Sequence, residues 1–453
     1  MERLVENELN KWGQEKEPKP IIFRGARQVG KTYLVRKLAK NFDNLVEINF
    51  ELKPELKKIF TSLEPQVIKE AIYRETREKI ILGKTLLFLD EVQNCPQAIK
   101  SLRYFYEMMP GLHVIAAGSL LDFVLDSSDI SIPVGRVKYL FIQPLSFREY
   151  LLNKFPDDDS LLRSIQSLSL NCALQEDIHK FLLREVRYYS VLGGMPGILK
   201  EFICSLHIDS NKLAELQSEI LLSYREDFGK YANLAHHKYL EVVFAGIPRL
   251  IGEKFKYSSI NKEMRSNDLR AALDLLSKAG LAHRVQRTSV AGLPLAATAS
   301  EKAYKVIFND IGLTQKLLGN TAQIMDQVFS DDDFHSITAG KTAEAFVGQE
   351  LLTLLAHYEE RKLYYWERDE RNSSAEVDYL LAVDAEIYPI EVKAGKTGRL
   401  RSLHILMKEH DLKLGIRISE KKLSLDDKIL SVPFYALAEL PRILRELKST
   451  PPA

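Results

Sequence analysis

Gly25-Ala26-Arg27-Gln28-Val29-Gly30-Lys31-Thr32 sets two glycines five positions apart and follows the second at once with a lysine and a hydroxyl residue. Glycines so placed let a loop curl until successive backbone N–H groups converge on one anion. A lysine at the end of such a loop reaches β- and γ-phosphates, and the hydroxyl is offered to Mg²⁺. The apolar run Ile21-Ile22-Phe23 lies before the loop and the helix-like Tyr33 to Lys40 after it. That strand, loop, helix order aims the positive end of a helix at the phosphates and argues against a chance turn. Gly25, Ala26, Arg27, Gln28, Val29, Gly30, Lys31 and Thr32 are therefore candidate ligands of ATP or GTP.

A second apolar run, Thr85 to Leu89, ends in Asp90-Glu91. Asp90 is placed to join Thr32 around Mg²⁺, and Glu91, just beyond the strand end, to orient and deprotonate an attacking water. The competing reading is an acidic pair that caps the next helix. A third run, His113 to Ala117, ends in Gly118-Ser119, where Ser119 is a candidate to read the γ-phosphate or the lytic water. A small residue packing at a turn would look the same. Gly135-Arg136 precedes a further strand, so Arg136 is a candidate to face the γ-phosphate, in its own subunit or from a neighbour in a ring. A surface arginine at a turn is an equal alternative.

Near the C-terminus, Glu376 to Val383 and Ile387 to Lys393 read as adjacent strands around the turn Asp384-Ala385-Glu386. Alternation puts Glu376 and Asp378 on one face and Glu391 with Lys393, while Ile390 and Val392 point into a core. Asp378 and Glu391 are hard oxygen ligands suited to Mg²⁺ or Mn²⁺, and Lys393 can steady a metal-bound hydroxide or a scissile phosphate. Glu344, near the start of a helix over residues 342–357, would complete the acidic cluster. The structural alternative is an ordinary cross-strand salt bridge. From His335 to Ala453 there are 18 lysines and arginines against 19 aspartates and glutamates, without the excess of a strong DNA-gripping surface. Lys396, Arg399 and Arg401 nevertheless form a local basic cluster beside the candidate site.

The elements that position these groups follow from pattern. At 453 residues the chain exceeds a single core. Strand-like and helical runs alternate up to about residue 155, predicting an α/β nucleotide-binding sheet. Residues 156–237 read as a helical extension, broken by Gly193-Gly194-Met195-Pro196. Residues 238–325 predict three helices and a two-stranded wing, a winged-helix module, and residues 335–453 a C-terminal α/β domain. Hydrophobic content of 45% and charged content of 28% fit a globular protein, and a net charge of +1 supplies no global pull toward nucleic acid. No run reaches the length that spans a bilayer and the N-terminus lacks a secretory core, so a cytoplasmic location without membrane contact is expected. Cys95, Cys172 and Cys204 show no paired spacing and read as small buried hydrophobes.

Taken together, Gly25 to Thr32, Leu89-Asp90-Glu91-Val92-Gln93, Gly118-Ser119, Gly135-Arg136, Gln143 to Tyr150, Gly193 to Pro196 and Pro389-Ile390-Glu391-Val392-Lys393 resemble a large prokaryotic family of AAA+ ATPases. In that family an N-terminal ATPase is followed by an uncharacterised region ending in a PD-(D/E)xK, restriction-endonuclease-like domain. The resemblance spans nearly the whole chain. It implies ATP binding and hydrolysis and a cytosolic prokaryotic origin; the residues themselves add the expectation of Mg²⁺ beside ATP, a second Mg²⁺ or Mn²⁺ at Glu344, Asp378 and Glu391, and nucleic acid, a protein or further copies of the chain as partners.

Overall fold

A computed structural model describes residues 1–118, 135–203, 209–231, 234–319, 339–368, 375–395 and 398–449. Ser119, Lys396 and Cys204 fall outside the described residues.

The N-terminal sheet contains β1 (Ile21–Arg24), β2 (Asn44–Asn49), β3 (Thr85–Asp90), β4 (His113–Ala117) and β5 (Lys138–Phe141). All pairings are parallel, in the order β2-β3-β4-β1-β5. Period-two alternation divides the apolar runs between two cores. Ile22, Leu87, Leu89, Val114 and Ala116 pack beneath the helices Pro65–Thr76 and Pro96–Met108. Ile21, Phe23, Leu86, Phe88, Ile115 and Ala117 pack on the opposite face. Burial on both faces explains why these strands are continuously apolar. The order also leaves β4 between β1 and β3, so the loop after β1 and the acidic end of β3 lie on the same edge of the sheet, the C-terminal edge where ligands of open α/β sheets bind.

The second sheet has eight strands: β6 (Ala282–Arg287), β7 (Tyr304–Phe308), β8 (Leu363–Glu367), β9 (Glu376–Val383), β10 (Glu386–Val392), β11 (Gly415–Ser419), β12 (Ser424–Asp426) and β13 (Ile429–Pro433). Their order is β12-β13-β11-β10-β9-β8-β6-β7. β6 and β7 pair antiparallel, as a wing would, but β6 also runs parallel to β8, with Val285 opposite Leu363. The two strands thus extend the C-terminal sheet instead of standing apart from it. One apolar cluster runs from Val5 and Phe23 through Leu182, Leu269 and Val285 to Ile390 and Leu444, so the N-terminal sheet, middle helices and C-terminal sheet share an interior.

No helix among the described residues is long and apolar enough to cross a membrane. Cys95 is buried as expected, whereas Cys172 is exposed.

One buried joint carries a pH signature. Glu350, on the helix Ala339–Leu354, accepts from the Phe147 backbone N–H at 3.0 Å, at the start of the helix Phe147–Lys154 that follows the N-terminal sheet. Burial, with the Glu149 charge nearby, pushes its carboxyl from 4.5 up to about 8. The folded chain then holds a proton that the unfolded chain has lost, so stability falls as pH rises from about 4.5 through about 8, by at most about 1.4 kcal/mol per pH unit. Glu350→Gln keeps an oxygen for Phe147 and removes the titration. Thermal melts at pH 6 and pH 8.5 should show a drop in the native chain that is reduced in the variant; equal drops would locate the titration elsewhere.

Candidate nucleotide site and C-terminal carboxylate cluster

The loop after β1 adopts the geometry its glycines permit. Gly25 has φ +142° and Gly30 φ +93°, and a Cβ added at Gly25 would lie 2.1 Å from the Ile142 carbonyl oxygen. Gly30 leads into the helix Lys31–Leu38, whose first turn carries no acidic residue, so its positive end is left for an anion. Lys31 Nζ donates to the Gly25 and Ala26 carbonyl oxygens, each at 2.8 Å, and is thereby held over the loop. From behind, Arg3 donates to the Val29 carbonyl at 3.0 Å and to the Gln143 carbonyl at 2.7 Å, and pairs with Glu149 at 3.0 Å. A lone arginine near the N-terminus gave no sequence signal of this brace.

Thr32 Oγ1 donates to Asp90 Oδ2 at 3.4 Å, and Asn49 Nδ2 donates to the same oxygen at 3.1 Å. Burial and the adjacent Glu91 charge push the Asp90 carboxyl up to about 6. A hydroxyl and a desolvated carboxylate brought together beside a phosphate loop fit Mg²⁺. Glu91 stands in the left-handed region at φ +51°, which turns it off the strand axis, and its Oε2 accepts from Gln93 Nε2 at 2.5 Å. Gln93 was visible in the sequence only as part of a motif; the fold makes it the group that orients Glu91. With Glu91 as general base, as its place after β3 led one to expect, Gln93→Ala should leave KM unchanged and lower kcat roughly ten-fold. A steady-state series showing KM rising with kcat intact would assign Gln93 to binding instead. Arg136 Nε pairs with Glu107 Oε1 at 2.9 Å, on a half-exposed surface.

The opposite side of the loop meets the middle of the chain. Arg27 Nη1 pairs with Asp227 Oδ1 at 2.5 Å, Gln28 Nε2 donates to Ser223 Oγ at 2.9 Å, and Tyr224 Oη donates to the Arg27 carbonyl at 3.2 Å. All three partners sit on the helix Ser210–Tyr231. Gly280 packs so close that an added Cβ would lie 3.1 Å from the Ala26 nitrogen.

At the C-terminal end, the fold gathers Glu344, Asp378, Glu391 and Lys393 as the sequence led one to expect, together with Glu376. Lys393 Nζ contacts Glu391 Oε1 at 2.6 Å, and Asp378 Oδ2 accepts from the Val392 N–H at 2.8 Å. Burial, then the Asp378 charge, push both Glu344 and Glu391 up to about 7. Unforeseen is Lys305 on β7, whose Nζ lies 2.9 Å from Glu344, 2.6 Å from Glu376 and 3.7 Å from Asp378. Burial opposes its charge, but Glu344, Asp378 and Glu376 outweigh it and hold the ammonium above the ordinary lysine range. A lysine inside the strand Tyr304-Lys305-Val306-Ile307-Phe308 was the available signal, since a charge in a buried apolar strand demands a partner. Among the described residues no group of three or more His, Cys, Asp or Glu is arranged to hold a metal ion. The carboxylates expected to take a second metal are ion-paired to lysines, and the donor set does not fit a free divalent site.

Residues 17–151 match the AAA domain family. Residues 183–324 match a domain of unknown function, DUF8612, and residues 339–437 another, DUF4143. No curated protein matches the chain. Among solved structures, the Walker-type ATPase PABY2304 of Pyrococcus abyssi is similar at 17% identity, over 70% of this chain and 95% of that one, with a TM-score of 0.45. The Aeropyrum pernix ORC1 protein in complex with DNA is similar at 12% identity, over 72% of this chain and 94% of that one, TM-score 0.30. AMPPCP-bound DnaA from Aquifex aeolicus is similar at 14% identity, over 61% of this chain and 92% of that one, TM-score 0.28. All three likenesses are remote.

Proposed function

We propose that the protein is an ATP-hydrolysing conformational switch in which occupancy of the phosphate loop sets the arrangement of the middle helices and, through them, the C-terminal domain. The observation that carries this reading is the direct grip of the helix Ser210–Tyr231 on the loop, through Arg27 with Asp227 and Gln28 with Ser223. A triphosphate entering the loop must draw Lys31 Nζ away from the Gly25 and Ala26 carbonyls, and any adjustment of the loop is felt at Arg27 and Gln28. Lys31 would then hold the β- and γ-phosphates, and Glu91, fixed by Gln93, would accept a proton from the water attacking the γ-phosphorus as the bond to the bridging oxygen breaks. Thr32 and Asp90 would hold Mg²⁺, which when bound neutralises charge on the phosphates. Arg136 remains a candidate for that charge from a neighbouring copy.

Hydrogen–deuterium exchange on the full chain, with and without Mg²⁺ and a non-hydrolysable ATP analogue, tests the coupling. Protection should change in the helix Ser210–Tyr231 as well as in the loop. Saturating analogue that alters the loop alone would sink the switch.

A second reading concerns the C-terminal domain. We infer that its nuclease-like cluster serves a domain that docks nucleic acid or protein and does not cleave, because its carboxylates are engaged by Lys305 and Lys393. Mg²⁺-dependent cleavage of DNA or RNA that Asp378→Ala and Lys393→Ala abolish would overturn it.

A further inference from the structure

We propose that Lys305 is a resident cation that takes the place of a divalent metal in the C-terminal cluster and keeps the cluster from binding one. Its side chain is 2% exposed and its ammonium bridges Glu344 and Glu376, with Asp378 next in reach. The Tyr365 ring, 5.3 Å from Nζ, lines another side. Each neighbouring carboxylate has at least one oxygen engaged, although the buried Glu391 Oε2 has no hydrogen-bond partner among the described residues. Glu344 and Glu376 each give an oxygen to Lys305, Asp378 divides its oxygens between Lys305 and the Val392 N–H, and Glu391 binds Lys393. Mg²⁺ needs several oxygens at about 2.0–2.1 Å in octahedral array, and Mn²⁺ likewise prefers six oxygens. An ammonium already lodged between those oxygens occupies the space and repels the incoming charge.

The plug is supplied from outside the carboxylate-bearing segment. Glu344, Glu376, Asp378 and Glu391 lie within residues 339–437, whereas Lys305 belongs to residues 183–324, the second matched region. That same region covers Glu344 from another side: a Cβ added at Gly252 would lie 2.7 Å from Glu344 Oε2. Because β7 is hydrogen-bonded to β6, and β6 to β8, the ammonium is fixed by the sheet and not carried on a loop. The inference deepens the reading of the domain as a non-cleaving platform and names the residue responsible.

The test is Mn²⁺ binding to the full chain without nucleotide, followed by loss of the free-ion electron paramagnetic resonance signal. Native protein should take up no Mn²⁺ that Asp378→Asn removes. Lys305→Met should gain one Mn²⁺ per chain, lost again when Asp378→Asn is added. Should Lys305→Met fail to fold, the pair Lys305→Met with Glu376→Gln removes one charge of each sign and leaves Glu344, Asp378 and Glu391 to bind; the same gain is expected. Lys305→Arg keeps the cation and should bind none. Uptake by the native chain that Asp378→Asn abolishes, or a folded lysine-free variant without uptake, would overturn the proposal. Either result with no nucleic-acid cleavage by the native chain would leave the platform reading standing.

Discussion

Lys31→Ala is expected to lower phosphate release from ATP by roughly 10²–10³-fold, the scale on which removal of one preorganised donor at a developing charge is felt. The reason lies in where the ammonium already sits. Two 2.8 Å bonds to the Gly25 and Ala26 carbonyls hold Nζ above the loop, and an arriving phosphate takes the ammonium over from those carbonyls. The variant also loses ground-state affinity, since the lysine is a point charge on the same phosphates before and during the reaction. Glu91→Gln should behave differently. Its amide still hydrogen-bonds water but cannot take the proton, so ATP analogue binding persists while turnover falls roughly 10²–10⁴-fold. A colorimetric release assay paired with calorimetric titration separates the two outcomes. Equal turnover in native and Lys31→Ala protein would remove the phosphate loop from the mechanism altogether.

The nucleotide half of this design was legible because its signals are local. Loop curvature, helix polarity and a strand-end acid each depend on residues adjacent in sequence, and the continuous burial of Leu86 to Leu89 is what parallel pairing on both sides requires. The hairpin of β9 and β10 and the convergence of Asp378, Glu391 and Lys393 were likewise readable from period-two alternation. What escaped the sequence were the distant contacts that no motif marks. Lys305 reaches Glu376 over 71 positions, and Arg27 reaches Asp227 over 200 positions. No periodicity encodes such pairings; only the packing of whole elements makes them. The wing-like β6 and β7 show the same limit. Their pairing around the intervening loop was readable, but their attachment to β8 depends on which edge of the C-terminal sheet is left open.

The ion pair between Arg27 and Asp227 is where the switch can be measured as an energy. Asp227 is 1% exposed and Arg27 36% exposed, so the carboxylate is desolvated while its partner is partly in water. Arg27→Ala removes the guanidinium facing a buried charge and should destabilise the chain by about 2–3 kcal/mol, below the full penalty of a wholly buried pair because solvent screens Arg27. Asp227→Asn should be milder, and the double variant less destabilised than the two effects added, giving a coupling of about 1–2 kcal/mol in a denaturation cycle. Coupling between sites is reciprocal. If nucleotide weakens or strengthens this ion pair, the coupling measured with a bound ATP analogue must differ from that of the free protein, and Arg27→Ala must shift analogue affinity by the corresponding factor. The loop carries Arg27 three residues before Gly30 and four before Lys31, so a change at the phosphates that left Arg27 untouched would have no route through this contact. Identical coupling in both states would mean that the helix Ser210–Tyr231 braces the loop without reading it.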